Sequence, residues 1–275
     1  MSLKTALGVR PGELVALVGA GGKTTTAWRL LCLLVASGER TVFTTTTRIF
    51  QPRDVPLILA PNPDPAEIVR GLAESLALVL AAARGERVDP GRAAHSAYSA
   101  YPVKLVGLEP GVLSDLARRL PEVTWLVEAD GAKGRLLKAP AEYEPVIPVG
   151  ADRVVIVAGL EAIDKPLDER TVHRPEIAAR LLRVPLGTVI TQDLFANLIG
   201  HASGGLKGIP SHAEAVTLLT QWDGRPHTHA DTVARQLLSD RRISRVVLAD
   251  FLAPDPVLEV WAGVQGQMNQ DVGHG

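Results

Sequence analysis

A short glycine-rich run, Gly19-Ala20-Gly21-Gly22-Lys23-Thr24, holds the residue types that an oligophosphate needs. Phosphate oxygens require several converging main-chain N–H groups, a helix N-terminus, a cation for the β and γ phosphates, and a hydroxyl for Mg²⁺. Glycines at 19, 21 and 22 permit positive φ and close main-chain approach, Lys23 brings charge, and Thr24 brings the hydroxyl, with Ala20 and Thr25 completing the turn. A second candidate is Glu128-Ala-Asp130-Gly131, where an apolar run ends on carboxylates suited to holding Mg²⁺ and orienting a nucleophile. If strand alternation continues to Gly131, Glu128 and Asp130 share a face and either is a candidate ligand; the plain alternative is a surface Asp-Gly turn. Lys23, Glu128 and Asp130 are therefore the candidate catalytic set, and Thr24, Glu128 and Asp130 the candidate Mg²⁺ set.

Weaker candidates lie beside these. The run Thr44 to Thr47 with Arg48 offers hydroxyls, those of Thr46 and Thr47 included, and a guanidinium to metal or phosphate, against a plain β-propensity reading. Lys133 and Arg135 open a Pro-rich, mixed-charge segment and are candidate anion contacts on a loop that closes over substrate or binds a partner; a solvated loop is the alternative. Only Ala20 and Gly21 separate Gly19 from Gly22, so the turn is shorter than Gly-x-x-x-x-Gly-Lys-[Ser/Thr] and resembles the Gly-x-x-Gly-Lys-Thr-Thr turn of the ATP-binding Mur ligases. A dinucleotide fingerprint fits as far as Gly21, then fails at Thr24 and has no use for a lysine, which sets an NAD(P)-dependent oxidoreductase behind an NTP binder.

These residues need a strand, a turn and a helix to position them. Glu13 to Val18 reads as a buried strand, Lys23 to Ala36 as a helix, and Arg40 to Thr47 as a β-branched second strand. A short strand follows within Pro56 to Ala60, then a long helical stretch from Pro65 to Arg84, a loop or irregular hairpin from Gly85 to Pro102, a helix from Gly111 to Arg119 and a buried strand from Thr124 to Glu128. Further strands are expected at 153–158, 188–191, 215–219, 245–249 and 257–261, with helices at 176–182, 193–199 and 228–238. This alternation predicts an α/β, P-loop NTPase-like three-layer fold around a mainly parallel sheet. It forms a single domain over 1–264, with a possible subdomain break near 150 and a flexible tail over 265–275.

A formal net charge of −1 gives no bulk reason to expect nucleic acid or an anionic membrane. The apolar runs Leu30 to Ala36 and Leu76 to Ala83 are far below the ~20 residues of a membrane span and read as buried helix faces. Met1 to Glu13 lacks the apolar core of an export signal, so a cytoplasmic protein is expected. The single cysteine, Cys32, sits in an apolar run and is expected to be buried. His227-Thr-His229 would present both imidazoles on one face if extended, but without a zinc-type spacing it reads as surface loop, and His173 reads as hydrogen-bonded structure.

The motifs Val18-Gly-Ala-Gly-Gly-Lys-Thr-Thr25, Thr44-Thr-Thr-Thr-Arg48, Glu128-Ala-Asp-Gly-Ala-Lys-Gly134, Lys138-Ala-Pro-Ala-Glu142, Glu144-Pro-Val-Ile-Pro148, Lys165-Pro-Leu-Asp168 and Val172-His-Arg-Pro175 together resemble the YqeC family. The likeness runs in order from about Leu14 to Pro210. It implies a P-loop-like nucleotide binder, using ATP or GTP with Mg²⁺, in the maturation of a selenium-dependent molybdenum hydroxylase. Under that resemblance the chain is an NTPase or ATP-dependent transferase, or a nucleotide-gated chaperone without appreciable turnover. Family members often carry Asn-Lys-x-Asp after a late strand; here the stretch is Thr220-Gln-Trp-Asp223, so guanine selectivity does not carry over and ATP is the expected nucleotide.

Overall fold

The computed structural model describes residues 1–52, 54–87, 99–221, 227–253 and 255–263. The elements in the first half are α1 (Leu3–Leu7), β1 (Leu14–Gly19), α2 (Lys23–Ala36), β2 (Thr41–Thr45), β3 (Arg48–Pro52), β4 (Leu57–Leu59), α3 (Pro65–Glu74), β5 (Ala77–Ala81), β6 (Ala83–Arg87), β7 (Ser99–Val106), α4 (Pro110–Arg119) and β8 (Thr124–Glu128). The second half adds β9 (Leu137–Lys138), β10 (Arg153–Gly159), β11 (Val172–His173), α5 (Pro175–Leu182), α6 (Gln192–Gly200), β12 (Glu214–Thr220), α7 (His227–Leu238), β13 (Ile243–Ala249) and β14 (Val257–Ala262).

A nine-stranded sheet in the order β14-β13-β12-β10-β1-β8-β2-β5-β4 carries the fold. Its neighbouring strands run parallel except at β14, which pairs antiparallel with β13. The central strand is apolar on both faces because both are covered: Leu14, Ala16 and Val18 enter one hydrophobic cluster, Val15 and Leu17 the other. Helices α1 and α2 close the second cluster, while α3 through α7 contribute to the first, giving three layers. Strands from both sides of residue 150 share the sheet, since β10 pairs with β1 from Val15↔Arg153 to Gly19↔Val157.

The chain lays β2, β4, β5 and β8 on one side of β1 and β10, β12, β13 and β14 on the other. In open parallel sheets the crevice outside the carboxyl ends of strands at such a reversal is where ligands sit. The glycine-rich turn begins there, at the end of β1.

Several expectations are corrected. The helix predicted over 65–84 stops at Glu74: Asp64 caps its start by accepting from Ala66 N–H at 3.0 Å, and Ser75 turns extended with φ −145°. The apolar run that follows is β5, buried between β2 and β4 rather than forming a helix face. Of the two readings of 85–102, the irregular hairpin is the one found at its ends: β6 and β7 pair antiparallel and join β3 in a small sheet, while residues 88–98 lie outside the described residues. The strand predicted at 188–191 is only an isolated bridge between Val189 and Pro166. Arg40 to Thr47 is not one strand, because β2 ends at Thr45 and a new strand starts at Arg48. His229 stands on the first turn of α7, not in a loop, and the side chain of His227 and the tail over 265–275 lie outside the described residues. Cys32 is exposed, on the solvent side of α2, while its neighbours Leu30, Leu31 and Leu34 are buried.

Candidate functional site

The turn after β1 is held from below by its own chain. Gly19, Gly21 and Gly22 take φ of 89°, 84° and 133°. A Cβ on Gly19 would strike Val157 O, and one on Gly21 would come within 2.5 Å of Gly159 N, so these glycines let the turn lie against the end of β10. Ala20 N–H donates to Val157 O at 2.8 Å and seals that contact. Above the turn the polar groups are open. Among the described residues no acceptor meets the main-chain N–H of Gly21, Gly22, Lys23, Thr24 or Thr25, and Gly22 caps α2 with no side-chain bond. These are the orphan donors of a helix start, with the positive end of its dipole.

Lys23 is 4% exposed and folds back over the turn. Its ammonium donates to Gly19 O at 2.5 Å and pairs with Asp130 Oδ1 at 2.9 Å. Asp130 also accepts from Gly19 N–H at 3.0 Å, so one carboxylate braces both the lysine and the first glycine. Glu128 ends β8 and accepts from Thr24 Oγ1 at 2.8 Å. The strand stops at Glu128, and the two carboxylates divide the work: Asp130 faces the lysine, Glu128 the threonine hydroxyl. Burial pushes the Glu128 carboxyl above its ordinary value, against the opposing pull of the Lys23 charge and the Thr24 hydrogen bond.

The weaker candidates fare unevenly. Thr44, Thr45 and Thr46 donate their hydroxyl protons to Leu80 O, Glu128 O and Val146 O at 2.7, 2.6 and 2.7 Å. Their hydroxyls knit strand ends together. Thr47 contributes its N–H to Thr45 Oγ1 at 2.9 Å, and Arg48 is exposed at the start of β3. Lys133 is exposed with φ 49°, and Arg135 closes its own loop by donating to Glu169 O and to Lys133 O. Thr25 is half-buried in the first turn of α2. Of the late Thr220-Gln-Trp-Asp223 stretch, Thr220 donates to Gly21 O, while Trp222 and Asp223 lie outside the described residues.

Sequence reasoning assigned no role to Lys138, Glu144 or Arg174, which extend the site. The Lys138 ammonium, on a side chain 1% exposed, pairs with Asp130 Oδ2 at 3.2 Å and Glu144 Oε2 at 2.8 Å and donates to Gly131 O at 2.7 Å. Arg174 grips Glu144 with both terminal nitrogens, one of them 3.2 Å from Oε1. The short parallel pairing of β9 with β11, Val172↔Leu137 and His173↔Lys138, brings these distant segments together. Burial raises the Glu144 carboxyl less than hydrogen bonds from Lys138 and Arg174 lower it, so it lies below its usual range. His173 is pushed down to about 4 by burial and by the charges of Arg174 and Lys138, which keeps its imidazole neutral at pH 7. The available signal was a lysine inside the apolar run Leu136-Leu137-Lys138-Ala139, since a lysine is rarely buried without a partner.

Among the described residues no group of three His, Cys, Asp or Glu side chains is arranged to hold a metal. A Mg²⁺ ion beside Thr24 and Glu128 would draw its remaining ligands from phosphate and water, as this ion commonly does. Among the same residues no helix is long and apolar enough to cross a membrane.

Fold and site together define a three-layer α/β protein whose buried ionic residues gather round a glycine turn at the end of the central parallel strand. The YqeC protein family matches residues 15–176, and the chain belongs to that family. It is 29% identical over 239 residues to an Escherichia coli (strain K12) protein named "Uncharacterized protein YqeC", covering 86% of this chain and 87% of that one. No solved structure matches it.

Proposed function

We propose that the chain binds a nucleoside triphosphate, ATP in the first instance, together with Mg²⁺, and uses it in the maturation of a molybdenum hydroxylase. The partner half of this proposal rests on family membership and the resemblance it carries. The nucleotide half rests on one observation: open main-chain N–H groups, a buried lysine and a Thr–Glu pair converge on one turn.

The residues fit the ligand. The N–H groups of Gly21 to Thr25 would take phosphate oxygens, and Lys23 would turn part of its charge from Asp130 to the β and γ phosphates. Thr24 and Glu128 would hold the metal, which supplies charge neutralisation on the phosphates. Asp130, between Lys23 and Lys138, positions the lysine rather than the metal. The short spacing of the turn follows the P-loop logic without the strict Walker A length.

Calorimetry of the full chain with ATP and GTP, each with and without Mg²⁺, tests this directly. Tighter binding with Mg²⁺ is expected, and Lys23→Ala should weaken ATP about 100-fold, or ~2.7 kcal/mol, while the fold persists. Folded protein that binds neither triphosphate would overturn the proposal. Phosphate release measured on the same samples separates an ATPase from a nucleotide-gated chaperone that binds without turnover.

A further inference from the structure

Two strands beyond β10 come back to the same turn. β12 and β13 end on the edge of the sheet where β1 ends, on the side of β1 opposite to β8 and its Glu128. From the end of β12 the Thr220 hydroxyl donates to Gly21 O. From the turn after β13 the ring of Phe251 reaches the start of α2: a Cβ built on Gly22 would lie 3.9 Å from Phe251 Cε2 and 3.7 Å from Thr220 Oγ1. A side chain at 22 would meet both groups in ordinary contact, so the Phe251 ring edge and the Thr220 hydroxyl flank the start of α2, where the open N–H groups lie.

The ring is half-buried and held in place. Arg29, on α2, donates to Phe251 O at 2.7 Å and sets its guanidinium 5.7 Å from the ring centroid. Asp250 fixes the turn by accepting from Leu252 N–H at 2.8 Å, while its own N–H donates to Pro256 O at 2.8 Å. Part of the ring rests on the core cluster under α2, and the rest stays accessible.

A triphosphate bound at this turn has its metal side fixed by Thr24 and Glu128, toward β8. A base leaving on the other side of the turn, over the ends of β10, β12 and β13, would meet Phe251. We propose that Phe251 is the nucleobase platform of this protein, the ring against which a purine stacks, with Arg29 holding it in register. The inference deepens the nucleotide-binding proposal and rests on it.

The two are separable by comparing ATP with inorganic tripolyphosphate, which has the same phosphate chain and no base. Calorimetry would use the full chain and Mg²⁺, with wild type, Phe251→Leu, Phe251→Trp and Lys23→Ala. Phe251→Leu should weaken ATP about 10-fold and leave tripolyphosphate unchanged, and Phe251→Trp should restore ATP binding. Lys23→Ala should weaken both ligands. ATP affinity unchanged in Phe251→Leu, or both ligands weakened equally in a variant that melts like wild type, would overturn the platform. Wild type that binds tripolyphosphate as tightly as ATP would overturn it too while sparing the phosphate site. Wild type that binds neither removes both proposals.

Discussion

Buried charge sits at both ends of the central strands, and the two clusters differ in what they leave open. At the N-terminal end Arg153, its side chain 2% exposed, meets Glu13 through Nε and Nη2 at 3.1 and 3.2 Å and Glu214 through Nη1 at 2.8 Å. A planar guanidinium, always charged, is gripped by carboxylates on two neighbouring segments, and Glu214 is further satisfied by Ser244 Oγ at 2.8 Å. That set is closed. At the C-terminal end Lys23 and Lys138 bracket Asp130, Glu128 is held above its ordinary titration range, and a row of main-chain N–H groups stands without acceptors among the described residues. Burial of charge alone does not mark a site. What marks it is main-chain donor capacity left unmet among the described residues, beside ion pairs that already balance.

The sharpest way to break this contrast is at the closed end. Arg153→Ala leaves the carboxylates of Glu13 and Glu214 without their shared cation and should lower unfolding stability by about 3 kcal/mol, read from urea denaturation, with ATP affinity of the folded fraction unchanged. A variant of full stability that loses ATP would show that the two ends are not independent.

Glu144→Gln probes the arm linking the turn to Arg174. The folded carboxyl titrates below its unfolded value, so the native state binds fewer protons and gains stability above the unfolded carboxylate range. That gain disappears as pH falls through the depressed folded value. A loss of about 2 kcal/mol at pH 7, shrinking toward zero in strong acid, is expected from paired denaturation curves. A difference that does not vary with pH would contradict the assigned ion pairing.

Glu128→Gln carries the smallest effect and the opposite sign. The folded carboxyl is raised, so its contribution is fully present below the unfolded value and is lost as pH rises through the folded one. Replacing it with a neutral amide should remove that penalty, lifting the melting temperature at pH 7 by about 2–4 °C, or ~1 kcal/mol, while abolishing the Mg²⁺ dependence of ATP binding. A melting temperature that drops, with Mg²⁺ dependence intact, would place Glu128 among structural residues.

Much of the scaffold was legible because its signals are local. The bounds of α2 and β8 match the expected ones residue for residue, since an uninterrupted apolar run flanked by glycine or polar stops has one compact reading. The same rule misled at β5: Leu76 to Ala83 continues the helix-forming composition of α3, and only the slot between β2 and β4 makes it extended. Cys32 failed for a related reason, because a run apolar at nearly every position does not reveal which flank meets solvent.

At the site, local chemistry suffices for the turn: glycine spacing, Lys23 and Thr24 lie within a few bonds of one another, so local geometry carries them together. Tertiary structure decided the rest. Parallel pairing of β1 with β8 delivers Glu128 to Thr24, the β9–β11 bridge delivers Arg174 to Glu144, and the end of β13 delivers Phe251 to Gly22. Those partners stand far apart along the chain, where no periodicity links them, and only the packing of both sheet faces sets their distance.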